Sequence, residues 1–323
     1  MAPPRRRKRY RYRLRRLSPV AVVALVAGIA GAWVGARQHA GPEAALAASN
    51  KPVVRVAPAV HKTIRHEVLL TAGDTLAHTF TPGLLGKAAI LVDGTTGRVI
   101  WQYHPHQRLQ IASTTKIMTA LLALRKLKPH DIVTVDKSVP RVPLVREGLR
   151  AGEQVEAWKL FYSLLLYSGN DDALALAIAA GGTKWHFVHE MNVEARILGL
   201  KDTHYVSPSG VVDVDNYSSA WDLAALTRVA MRSARFRSIV RTPRKQVAWA
   251  PPTYSKIYIN NNRLLTTYKG ADGVKTGYTH KAGPCLVASA KRGGTWLIAV
   301  VLDSPDMYTD AKRLLDFGFA SLG

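Results

Sequence analysis

Three short strings that must meet in space constrain this 323-residue chain more than anything else in it. They are Ser113-Thr114-Thr115-Lys116, Ser168-Gly169-Asn170 and Lys275-Thr276-Gly277. Read as S-x-x-K, S-x-N and K-T-G, they form an ordered set that equips one serine to attack an amide. Each alone is ordinary. A serine at a helix start is usually a cap, Ser-Gly-Asn suits a turn ending a helix, and Lys-Thr-Gly suits a solvated strand end. Their joint occurrence overturns those readings. The first opens a helical pattern, the second lies in a loop between helices and the third sits on a glycine-flanked apolar strand.

The chemistry explains the spacing. Residues three apart on a helix share a face, so Ser113 and Lys116 meet. A serine hydroxyl is a poor nucleophile until a neighbouring base takes its proton, and a lysine serves only if burial or another cation lowers its pKa. Lys275 is that second cation, and it also presents positive charge to an anionic substrate. Ser168 is placed to pass a proton to the leaving amine, while the Asn170 carboxamide holds the acyl-side amide of the substrate. An oxyanion needs two backbone N–H donors. The amides of Ser113 and Tyr278 are the natural pair, with Gly277 allowing close backbone approach and Thr276 facing the substrate.

The stretches around these motifs give the chain a specific resemblance. They include Ala88-Ala89-Ile90-Leu91-Val92-Asp93 with Thr96-Gly97, Ala112 through Ala120, and Tyr167-Ser168-Gly169-Asn170-Asp171-Asp172-Ala173. Met191-Asn192, Leu198-Gly199-Leu200, Asn262-Arg263-Leu264-Leu265 and Asp272 through Thr279 complete the set. From about Gly86 onwards the chain resembles the low-molecular-mass penicillin-binding proteins of the D-alanyl-D-alanine carboxypeptidase family. That resemblance implies a penicillin-binding-protein/β-lactamase-like transpeptidase fold. It also implies acylation of Ser113 by a D-Ala-D-Ala stem peptide of peptidoglycan, departure of D-alanine, hydrolysis by water without a cofactor, and covalent inhibition by β-lactams. A D,D-endopeptidase acting on cross-links is the nearest alternative. A β-lactamase is disfavoured because no Glu-x-x-Leu-Asn string occurs between the second and third motifs, where Glu190 and Glu194 lie in a helical pattern. A non-catalytic wall-binding or β-lactam-sensing domain would not need the complete motif set. One departure stands out. Relatives commonly carry an arginine just before the closing helix to bind the free carboxylate of D-alanine, and Met307 occupies that place here. A weaker preference for a free carboxylate is therefore expected, with Arg263 and Lys281 the remaining cations that could serve.

Targeting is written at the other end. Met1 to Leu17 carries nine basic residues and no acidic one, and Pro19 to Ala36 is apolar and uncharged. Residues 1–37 thus read as a basic n-region with a signal peptide or membrane anchor, residues 38–82 as a linker and N-terminal arm, and residues 83–323 as the catalytic domain. An extracytoplasmic location follows, at the outer face of the cytoplasmic membrane or secreted to the cell wall or periplasm. The net charge is +23, and removing the nine N-terminal positives leaves +14 on the exported part. Such an excess favours anionic wall polymers and lipid headgroups. The positives outside the tail are dispersed rather than arranged as a nucleic-acid reader. The one cysteine, Cys285, sits in an apolar run, so it is read as a small buried hydrophobe and no internal disulfide is possible.

The fold class expected is α+β, an antiparallel sheet built from both ends of the domain against a helical region. Ala88 to Val92 and Arg98 to Tyr103 read as a hairpin. Helical spacing runs from Ser113 to Leu127, up to Tyr167, from Asp171 to Ala180, from Trp185 to Leu198 and from Ser219 to Ser233. Late strands are expected at 273–278, 285–291 and 295–302, with a closing helix at 310–319. His66 to Thr71 alternates and is read as an added strand or ordered arm. No metal site is expected. His186 and His189 with Glu190 lack the zinc-peptidase spacing, and His104 and His106 lack a cysteine or carboxylate partner nearby in the sequence. Asp171 and Asp172 are read as structural carboxylates at a helix N-terminus.

Overall fold

The computed structural model describes residues 69–72, 83–211, 215–249 and 255–322. The chain divides into two units, Met1–Ala59 and Val60–Gly323. The first, with the basic tail and the Pro19 to Ala36 run, lies outside the described residues. Among those that are described, no helix is long and apolar enough to cross a membrane.

The hairpin forms as β1 (Ala88–Asp93) and β2 (Val99–Tyr103). Then β3 (Leu109–Gln110) leads into a 3₁₀ turn, Ala112–Thr115, and α1 (Lys116–Lys126). The strands β4 (Ile132–Thr134) and β5 (Gln154–Glu156) pair with each other. The helix α2 (Ala157–Tyr162) passes into a π-helical turn, Ser163–Tyr167, and then come α3 (Asn170–Gly181) and α4 (Lys184–Ile197). Next are β6 (Tyr217–Ser218), which pairs with β3, then α5 (Ala220–Ala230) and α6 (Ala234–Val240). A second small ladder joins β7 (Arg244–Val247) to β8 (Lys256–Ile259), followed by α7 (Leu264–Thr267). The strands β9 (Ala271–Thr279), β10 (Gly283–Arg292) and β11 (Thr295–Leu302) precede α8 (Met307–Leu322).

The main sheet has the order β2-β1-β11-β10-β9, antiparallel throughout. Its central strands read as near-continuous apolar runs because both faces are covered, and period-2 alternation then decides which core each side chain enters. Ile90, Val92, Val287, Ile298 and Val300 face the helical region, whereas Leu91, Leu286, Ala288, Leu297 and Ala299 face α8. On the helical side α1 is buried from Lys116 to Leu124. Full burial of side chains such as Ile117 and Met118 stabilises the fold by roughly 1.5–3 kcal/mol each. The two ends of the domain are tied directly. Asp310 Oδ2 accepts from the Leu85 and Gly86 amides at 3.0 Å and from Ser304 Oγ at 2.6 Å. Thr71 bridges Arg98 in parallel, so residues 69–72 are joined to the hairpin. The earlier part of the expected arm, from His66, lies outside the described residues.

Two local expectations change. The helix expected from Ser113 begins as a 3₁₀ turn, because Thr114 Oγ1 donates to the Ile111 carbonyl at 2.7 Å and Ala112 takes a positive φ of 45°. The Ser219 to Ser233 pattern ends at Ala230. Ser233 then caps a separate helix, accepting from the Phe236 amide.

Candidate active site

The nucleophile corner is set by that 3₁₀ turn. Side chains three apart in a 3₁₀ helix eclipse one another, and Lys116 Nζ lies 2.8 Å from Ser113 Oγ. Two further partners surround the amine: Asn170 Oδ1 at 2.8 Å and the Ser209 carbonyl at 3.1 Å. Both accept only. A neutral amine therefore donates its two N–H groups to them and turns its lone pair on the Ser113 hydroxyl. Burial drives the Lys116 pKa well below the usual lysine range, and the charge of Lys275 pushes it the same way, with Asp172 and Asp171 opposing.

The second motif is carried by the π-helical turn, a rare geometry that recurs at functional sites. Ser168 sits in the left-handed region with φ 77°, and its amide donates to the Ser163 carbonyl at 2.8 Å. Its buried Oγ has no protein partner among the described residues, which leaves the hydroxyl available to a substrate. Asn170 has protein partners on both ends of its carboxamide. Its Nδ2 donates to the Leu144 carbonyl at 2.8 Å and the Pro143 carbonyl at 3.3 Å, while Oδ1 holds Lys116. The carboxamide thus orients the lysine first.

The third motif lies on β9, the edge strand of the main sheet. Lys275 is buried and donates to its neighbour's carbonyl, Thr276 O, at 2.9 Å; burial lowers its pKa to about 7. Gly277 packs on the nucleophile turn. A Cβ there would come within 2.9 Å of the Ile111 carbonyl and 3.1 Å of the Ser113 amide, so only glycine lets Tyr278 follow so close to Ser113. Ser113, Ser168, Thr276, Gly277 and Tyr278 line one open cleft of about 520 Å³. All eight expected site residues are thereby brought together, six in buried positions and Thr276 and Tyr278 more exposed.

The cleft wall adds groups that the motifs do not name. Arg263, Met307 and Tyr308 line it, with Val145, Tyr167 and Ile259. The Arg263 guanidinium lies 5.7 Å from the Tyr308 ring centroid, and Tyr308 Oη donates to the Asn261 carbonyl at 2.6 Å. Lys281 lines a separate depression with Gln110, Asn216 and His280. Ser209 contributes only a backbone carbonyl, which carries no side-chain signal in a sequence. Asp171 does more than complement its helix. It accepts from the Glu147, Gly148 and Leu149 amides and so fastens the neighbouring loop.

Residues 77–306 match the D-alanyl-D-alanine carboxypeptidase family of peptidases. The chain belongs to that family. A D-alanyl-D-alanine carboxypeptidase of Bacillus subtilis is 34% identical over 244 residues, covering 72% of this chain and 62% of its own length. A D-alanyl-D-alanine endopeptidase of Pseudomonas aeruginosa is also 34% identical, over 72% of this chain and 76% of that protein. Among solved structures, the Streptomyces K15 DD-transpeptidase superposes with a TM-score of 0.71 at 33% identity, covering 75% of this chain and 99% of that one. The α+β architecture is that of this family's fold.

Proposed function

We propose that this protein is an extracytoplasmic serine D,D-carboxypeptidase that removes the terminal D-alanine of peptidoglycan stem peptides. The observation that carries the reading is the buried contact between Lys116 Nζ and Ser113 Oγ, with every other partner of the amine an acceptor. In acylation the Ser113 proton passes to Lys116 as Oγ bonds to the carbonyl carbon. The oxyanion is held by the Ser113 and Tyr278 amides. As the C–N bond breaks, the proton reaches the departing D-alanine amine by way of Ser168 Oγ. In deacylation Lys116 takes a proton from water, hydroxide attacks the ester, and Ser113 Oγ is reprotonated. A β-lactam acylates the same oxygen, but its leaving nitrogen stays tethered to the acyl group.

Substrate orientation follows from the edge strand. β9 presents unpaired backbone groups along which an extended peptide can lie, with the D-alanine carboxylate toward Lys275 and Thr276. Arg263 is the charged side chain on the cleft wall, so it supplies the guanidinium missing at Met307. No carboxylate among the described residues lies within ion-pair distance of it. The second reading, endopeptidase action on cross-links, is favoured by the openness of this wall and by the equally similar endopeptidase relative. The +14 on the exported part suits anionic wall polymers, and an N-terminal signal or anchor delivers the enzyme across the membrane.

The test is incubation of the purified protein with a pentapeptide stem and with a cross-linked dimer, products being identified by mass. Release of D-alanine from the pentapeptide at the higher kcat/KM supports the carboxypeptidase. Preferential cleavage of the dimer supports the endopeptidase. Sequencing the mature N-terminus after cell fractionation decides between cleavage, with a start at Ala48, and an uncleaved anchor that retains Met1 or Ala2.

A further inference from the structure

Behind the second motif lies a buried chain of acids that the serine chemistry does not use. Ser163 Oγ is 2.5 Å from Asp172 Oδ2 and 3.0 Å from Glu147 Oε2. All three residues are buried. A hydroxyl carries one proton and can donate to only one carboxylate at a time. Both contacts are satisfied only if a further proton resides in the chain. Its place is decided at the two ends. Glu147 is paired with Lys256, whose Nζ bonds Oε1 and also the Glu147 carbonyl at 2.8 Å, so a cation already stands at that end of the chain. Among the described residues Asp172 has no cation bonded to it, and its Oδ1 lacks any hydrogen-bond partner. An ionised oxygen in that position is costly, whereas the carbonyl of a neutral acid is far less so.

We propose that Asp172 is a positioning residue acting as a neutral carboxylic acid, donating to Ser163 Oγ, which in turn donates to Glu147. The chain has two consequences for the active site. The first is mechanical. The Asp172 carboxyl fills the space behind Gly169, where a Cβ would come within 1.8 Å of Oδ2, and Ser163 receives the Ser168 amide on its carbonyl. The acid thereby props the turn that carries Ser168 and Asn170. The second is electrostatic. The titratable groups around Asp172 are Asp171 on its own helix, Glu147 on the preceding loop, Lys116 on α1, and Lys256 and the neutral phenol of Tyr258 on β8, with Lys275 beyond Lys116. An ionised Asp172 would hold Lys116 as an ammonium. A neutral one leaves Lys116 free to be the amine that the proposed mechanism requires, and this part of the inference rests on that reading. Burial, with the charges of Asp171 and Glu147, keeps the Asp172 pKa well above its usual range, in agreement with the geometry.

The test uses the full chain in two measurements. The infrared difference between wild type and Asp172→Asn at neutral pH should show the C=O stretch of a protonated carboxyl, lost in the variant. Penicillin acylation rates across pH come second. Asp172→Ala should acylate about tenfold more slowly, and Asp172→Asn, which still donates to Ser163, should recover to within about twofold of wild type with its acid limb in place. Absence of the protonated band overturns the proposal. So does an acid limb in Asp172→Asn displaced to lower pH, the sign expected if a negative charge near Lys116 has been removed, or an Asn variant as slow as the Ala one. If the Ala variant fails to fold, the infrared band and the Asn profile decide alone. A failure of Lys116 as the base would show instead as acylation surviving Lys116→Arg, with the band unaffected.

Discussion

The floor and the wall of the cleft are built on opposite principles. On the floor, Ser113, Lys116, Asn170 and Lys275 are buried, and the three nitrogen-bearing side chains each bond to protein atoms at 2.8–2.9 Å. On the wall, Arg263, Tyr278 and Ile259 are exposed, the last two at 60% and 67%. The floor has little freedom, so a substitution there changes the protonation or placement of a reacting group. The wall touches parts of the substrate remote from the bond that breaks. Reaction type is thus fixed below and substrate choice above, and the two sets of residues should separate in kinetics.

The largest expected effect is on the floor. Lys116→Arg keeps the charge but cannot be deprotonated in practice, so penicillin acylation should fall by about 10³-fold or more. Retention of a tenth of the wild-type rate would remove Lys116 as the base. Next is Gly277→Ala. The added methyl meets the Ile111 carbonyl and Ser113 amide, displacing the oxyanion donors, and acylation should slow by about 10- to 100-fold. A rate within twofold of wild type would break the link between that glycine and the nucleophile turn.

The pH profile separates the roles of the two floor lysines in one experiment. Acylation needs Lys116 neutral, so the rate rises with pH through its lowered pKa. Carboxylate recognition needs Lys275 charged, and that charge is lost as pH rises through about 7. The profile of kcat/KM for a D-Ala-D-Ala peptide should therefore be bell-shaped, since kcat/KM reports the free enzyme. The C-terminal amide of the same peptide should lose the alkaline limb. Identical limbs for acid and amide would separate Lys275 from carboxylate binding.

The smallest effects belong to the wall. Arg263→Ala should lower the acid-to-amide preference by about three- to tenfold, through KM. Because Arg263 already supplies a guanidinium, Met307→Arg should alter that ratio by less than about twofold. A large gain from Met307→Arg would return the carboxylate site to the segment before α8.

The sequence makes the floor and the sheet legible for different reasons. Ser113, Lys116, Ser168 and Lys275 announce themselves because their chemistry depends on side-chain identity at fixed spacing. The strands β1, β10 and β11 announce themselves because an apolar run bounded by glycines and turns has few other uses. What escaped depends on tertiary contact. The Ser209 carbonyl is a backbone atom, available from any residue. Asp172 looks like any helix-start carboxylate until burial and Ser163 give it a proton to carry. The ladder of β7 and β8 is hidden because Arg244, Lys245 and Gln246 lack apolar alternation, and α6 because Ser233 is as ordinary at a helix end as at a new helix start.

The central claim is that one buried serine carries the reaction, and intact-mass measurement after exposure to a penicillin tests it most directly. Wild type should gain the mass of a single acyl adduct, stable because the ring-opened leaving group cannot diffuse away, and Ser113→Ala should gain none. An adduct on Ser113→Ala would place the nucleophile elsewhere and contradict the account.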